Sequence, residues 1–84
     1  MVFLAITQSG LDEILEFTRN SSTPIWCGSN AISEEKYANL EGSNISRFNY
    51  SLDGADEVAL ADALGTIAEH HPDEKIWIEN GKPL

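Results

Sequence analysis

Val2-Phe3-Leu4-Ala5-Ile6 is a nearly continuous apolar run close to the start of the chain. A strand with one wet face alternates apolar and polar residues, whereas a strand covered on both faces does not. The run therefore predicts the central strand of a sheet with helices on both sides, which is the setting of parallel strands.

Outward from this strand the chain alternates helix and strand. Thr7 or Ser9 caps a helix that places Leu11, Ile14, Leu15 and Thr18 on one face, with Phe17 at its margin and Asn20 to Ser22 ending it. Pro24-Ile25-Trp26-Cys27 reads as a second strand. Pro24 cannot donate to a ladder, so it belongs at that strand's first residue or on an edge. Ser33 followed by Glu34, Glu35 and Lys36 starts a short helix that ends near Leu40, before Gly42. Ile45, Phe48, Tyr50 and Leu52 fall within a third strand, closed by Asp53-Gly54. From Asp56, the residues Val58, Leu60, Ala61, Leu64, Ile67 and Ala68 give the strongest helical period in the chain, stopped by Pro72. Ile76-Trp77-Ile78 forms the fourth strand, and the tail 80–84 is expected to be loose.

The element order β-α-β-α-β-α-β predicts one small α/β domain over residues 1–84. Its sheet is four-stranded and mainly parallel, with strand order 2-1-3-4, like half of a doubly wound fold. The alternative is a ferredoxin-like α+β plait, with Ser33 to Leu40 as a helical insertion between the middle strands. Phe3 to Trp26 can also be laid on Phe48 to Trp77 with a few gaps, each half ending in an Ile-Trp pair. On that reading Trp26 and Trp77 hold equivalent strand positions and pack against helices, unless one lies on an edge strand and anchors an interface.

Eighty-four residues bury about 60 to 65 per cent of the unfolded surface, so stability is modest and dimerisation would add to it. Fourteen acidic against five basic residues give a net charge of -9, which repels phosphate backbones and steers basic proteins inward. Direct binding of DNA or RNA is not expected. The single cysteine, Cys27, permits no intrachain disulfide and suits a reducing compartment, so the expected location is cytoplasmic. Residues 2–6 lack the basic flank and cleavage site of a signal peptide, and no stretch reaches membrane-spanning length. Asn-x-Ser triplets at Asn20, Asn44 and Asn49 would matter only in a secreted protein.

The acids cluster at the expected helix starts: Asp12 and Glu13 in the first helix, Glu34 and Glu35 in the second, Asp53, Asp56 and Glu57 in the third. Right-handed crossovers between parallel strands place all helix starts at the carboxyl edge of the sheet, where open α/β sheets hold ligands. These seven carboxylates are the candidate partner-binding residues. Each also complements the positive end of its own helix. They disfavour a phosphate or nucleotide, which needs helix starts free of negative charge and Gly-rich turns. The turns here, Thr7-Gln8-Ser9-Gly10, Cys27-Gly28-Ser29-Asn30 and Leu52-Asp53-Gly54-Ala55, match no phosphate-binding motif. Asp53, Asp56 and Glu57 offer hard oxygens for magnesium or calcium but lack calcium-loop spacing, and no cofactor or metal is expected.

Cys27 ends a strand before a helix, where thiolate chemistry often sits. The supporting arginine and second cysteine are absent, because those positions hold Ser33 and Asn30. A buried structural thiol is expected. His70 and His71 cap the end of the third helix and point apart, and Arg19, Arg47 and Lys75 fall near the edge opposite the acids.

The leading expectation is a small acidic, non-enzymatic binding or inhibitor protein that engages a basic, nucleic-acid-binding protein. Immunity proteins, antitoxins and phage inhibitors of host defence such as anti-CRISPR proteins share this size and charge. The first rival is a small-molecule or metal site, or an enzyme, at the same edge, using Thr7, Ser9, Ser29, Asn30 and the Asp53 turn. The second is a homodimerisation module joined through the fourth strand, whose edge is poorly guarded.

Overall fold

The computed structural model describes residues 1–19, 21–40, 44–54 and 57–79, the side chain of Phe17 excepted. Its elements are β1 (Val2–Ala5), α1 (Gln8–Phe17), β2 (Ile25–Cys27), α2 (Glu34–Ala38), β3 (Ile45–Arg47), α3 (Glu57–His70) and β4 (Ile76–Ile78). All three strand pairings are parallel, which gives the α/β sheet and not the plait.

The strand order is 3-2-1-4, not 2-1-3-4. Connection length explains the difference. Short α2 carries the chain only to the next position, so β3 lies beside β2. The long jump, three strand spacings or about 14 Å, falls to the connection through α3, whose fourteen residues span about 21 Å. β2 is consequently an interior strand, and Pro24 is accommodated just ahead of it, where only its carbonyl is asked to bond, accepting from Phe3 N at 3.1 Å.

Right-handed crossovers running one way from β1 to β3 put α1 and α2 on one face, and the return to β4 puts α3 on the other. Two apolar clusters follow. Ala5, Leu11, Ile14, Ile25, Cys27, Ala31 and Ile45 fill the α1/α2 side, and Val2, Leu4, Phe48, Leu52, Ala63 and Ile67 fill the α3 side. β1 contributes to both, and Val2, Leu4 and Ala5 have no exposed surface, as the unbroken apolar run requires.

β3 is shorter than the alternation suggested. Phe48 and Leu52 are buried beyond its end, in the segment that turns under α3, while Phe48 N still donates to Cys27 O at 2.8 Å and Ser29 N to Tyr50 O at 2.9 Å. The two tryptophans are not equivalent. Trp26 faces α3, its ring tilted against those of Phe48 and His70 with centroids 5.2 and 5.3 Å away, and its Nε1 donates to His71 Nε2 at 3.2 Å. Trp77 lies on the opposite face of an edge strand and is 51% exposed. The tail 80–84 lies outside the described residues.

Candidate functional site

The carboxyl edge of the sheet gathers the β1-α1, β2-α2 and β3-α3 loops and the end of β4. Thr7, not Ser9, caps α1, accepting from Gly10 N at 3.0 Å. That choice starts the helix at Gln8 and leaves no acid in its first turn, so Asp12 and Glu13 lie in the second turn and do not open the helix. They also diverge. Asp12 lines the cleft between α1 and the β2-α2 loop, and Glu13 lines the groove between α1 and β4.

Ser33 caps α2, accepting from Lys36 N at 3.2 Å, and Glu34 and Glu35 occupy its first turn as expected. Glu57 opens α3, and Asp53 lies in the turn before it. Asp56 falls outside the described residues. The six described candidates, Asp12, Glu13, Glu34, Glu35, Asp53 and Glu57, are all exposed. Because α2 and α3 cover opposite faces, Glu34 and Glu35 stand on one side of the edge and Asp53 and Glu57 on the other.

Arg47 is not at the far edge. It ends β3, at the carboxyl edge itself, where a largely buried guanidinium donates through Nε to Ile32 O at 2.8 Å and through Nη2 to Ser29 O at 3.1 Å. It fixes the β2-α2 loop and reaches Glu34 at 3.8 Å. Asn30 performs a similar task from the loop. Its amide donates to Ile6 O at 2.7 Å and accepts from Leu52 N at 3.1 Å, tying three loops together. A Cβ on Gly28 would fall 2.6 Å from that amide oxygen and 2.8 Å from Leu52 N, so the junction requires glycine. The polar groups proposed for a small-molecule contact are thus partly spent on backbone.

Where strand order reverses, between β1 and β4, a doubly wound sheet opens its ligand crevice against the start of the first helix. Here a carboxylate of the chain fills it. Glu79 Oε1 accepts from Ile6 N at 2.7 Å and Thr7 N at 2.8 Å, and Oε2 accepts from Thr7 Oγ1 at 2.6 Å. A Cβ on Gly10 would fall inside this carboxylate, so the glycine is what lets it approach. Sequence reasoning missed Glu79. The available signal was an acid immediately after an apolar strand, but its meaning depends on β4 lying next to β1.

The remaining groups carry little chemistry. Cys27 is fully buried, and burial pushes its thiol up to about 11 against a weaker opposing pull from the Arg47 guanidinium. That suits the structural role and opposes a nucleophilic one. Among the described residues no polar or charged residue is fully buried, and no group of three or more His, Cys, Asp or Glu is placed to hold a metal ion. No described helix is long and apolar enough to cross a membrane. A cleft of ≈ 380 Å³ lies between α1 and the β2-α2 loop, with Asp12 and Lys36 among its polar lining. No family model, curated protein or solved structure matches the chain.

Proposed function

We propose that this protein is a non-enzymatic acidic binding protein whose carboxyl edge engages the basic surface of a protein partner, of the kind that otherwise holds nucleic acid. The observation that carries the reading is the state of that edge. Its switch-point crevice is filled by Glu79, while Glu34, Glu35, Asp53 and Glu57 project from it exposed. Anionic small ligands lose their customary cradle, and a net charge of -9 favours a cationic partner through steering and register. Inhibition by occupying a nucleic-acid groove is the corresponding mode of action.

The test is capture of a defined partner from lysate, followed by titration with salt and with the Glu34→Lys, Glu35→Lys, Asp53→Lys, Glu57→Lys variant. Affinity is expected to fall steeply with salt and to be lost in the variant. A complex indifferent to both changes would sink the reading.

A second reading rests on the ≈ 380 Å³ cleft, which has the size of a small-molecule site and sets Asp12 and Lys36 over an apolar lining that includes Leu11 and Leu15. Thermal shift against a metabolite panel discriminates, since a ligand at a hundred times its Kd adds about 2.7 kcal/mol. A shift abolished by Asp12→Ala would favour the cleft over the acidic edge.

A further inference from the structure

We propose that the open edge of β4 is a self-pairing interface, on which a second copy of this chain adds its own β4 antiparallel about a two-fold axis at Trp77. β4 ends the sheet, and among the described residues no strand lies beyond it. Val2 N donates to Lys75 O and Glu79 N to Leu4 O, both at 2.9 Å. Odd-numbered backbone groups of β4 therefore face β1, and alternation turns the N–H and C=O of Ile76 and Ile78 to the open side.

The segment Lys75-Ile76-Trp77-Ile78-Glu79 is self-complementary when laid antiparallel on itself about Trp77. Ile76 of each copy meets Ile78 of the other as a pair that exchanges both backbone hydrogen bonds, which uses the groups that face outward. Trp77 meets Trp77 as the closer, non-hydrogen-bonded pair. Lys75 meets Glu79 twice, and Glu79 has capacity for another donor because a carboxylate offers about four acceptor sites and three are taken here. Moving the axis to Ile78 would set Trp77 against Glu79 and lose both charge pairs. The self-complementary Lys75 and Glu79 thus fit a second copy of this chain and fix the register, and pairing should tighten with salt as the repulsion between two chains of net charge -9 is screened.

The side chains are ready for this contact. Trp77 and Ile78 are 51% and 44% exposed. Lys75 Nζ lies over the Trp77 ring, 5.7 Å from its centre. On the α1 face a groove of ≈ 260 Å³ runs beside Trp77 between β4 and α1, floored by Phe3 and Ile14, because α1 covers β1 and β2 and leaves β4 bare. Pairing would continue the sheet to eight strands, twice the four seen here, and cover two tryptophans that water now meets.

Sedimentation of the full chain from micromolar to millimolar concentration is expected to show a reversible dimer. Ile78→Pro removes an outward-facing donor without touching the β1 ladder, so it should give a folded monomer by near-ultraviolet circular dichroism. Lys75→Glu should raise the dimer Kd about tenfold, since two cross-strand attractions become repulsions. Under mild oxidation Trp77→Cys should cross-link, its Cα atoms lying about 4.5 Å apart. Lys75→Cys should not, its Cα atoms lying about 14 Å apart along the strands. A monomer at every concentration, a dimer unaffected by Ile78→Pro, or cross-linking through position 75 in place of 77 would each overturn the proposal.

Discussion

Glu79 shows how one side chain can close a site that the fold would otherwise open. Its carboxylate takes the place an anion takes in a nucleotide-binding sheet, held by two backbone N–H groups and a hydroxyl. Glu79→Ala leaves those donors without their acceptor and should cost about 1 to 3 kcal/mol, measured by urea unfolding. Inorganic phosphate should recover part of that loss in the variant and leave the wild-type Tm unchanged. If phosphate stabilised the wild type equally, the crevice would not be closed by Glu79. Cys27 gives a second prediction. Burial raises its folded pKa from 9.0 to about 11, so the neutral thiol is the form the fold favours. The contribution to stability is complete below the unfolded value and is lost as pH rises through about 11. Thiol reagents should therefore modify the protein at mildly alkaline pH only after urea unfolds it, and the urea midpoint should fall between pH 9 and 11. Rapid labelling of the native protein would contradict this.

Among the elements, α3 carries the longest crossing with few buried anchors. Ala63 and Ile67 are its buried residues, while Val58 is 70% exposed. Gly65 lies within this helix, exposed, and a Cβ added there meets nothing within 4 Å. Gly65→Ala should therefore stabilise the protein by about 0.5 to 1 kcal/mol through reduced unfolded-state entropy and better helix propensity, seen as a higher Tm. A fall in Tm would mean the position makes a contact that α3 needs. Helix existence was legible because apolar spacing at 3.6 residues survives any packing, but helix starts were less so. Thr7 and Ser9 are both competent caps by residue type, and only the hydrogen bond to Gly10 N decides between them. That two-residue difference moves Asp12 and Glu13 from the first turn of α1 into the second.

At the scale of the molecule, charge dominates. With a net charge of -9 on 84 residues, the folded state concentrates like charges that the unfolded chain separates. Raising ionic strength from about 0.01 to 0.15 M shortens the screening length from about 30 to 8 Å, and Tm should rise accordingly. A Tm that fell with salt would show that attractive pairs, such as Arg47 with Glu34, outweigh the repulsion. The expected separation of charge into an acidic and a basic edge does not hold in full, because Arg47 belongs to the acidic edge. It is spent there on the carbonyls of Ser29 and Ile32, a role set by where β3 ends.

The sequence by itself determined the element order and favoured the class: an unbroken apolar strand, alternating helical and strand periods, and turn residues between them point to a mainly parallel α/β sheet with β1 at its interior, and the parallel pairings of the structure exclude the plait. The sequence signals are local properties, and local physics enforces them. Strand order, the placement of Phe48 and Leu52 beneath α3, the divergence of Trp26 and Trp77, and the carboxylate in the switch-point crevice were decided only in three dimensions. Each depends on which strand lies beside which. Residues 72 or 73 apart, such as Glu79 with Thr7 and Ile6, meet because a long crossover returns β4 to β1, and nothing in either segment alone encodes that meeting.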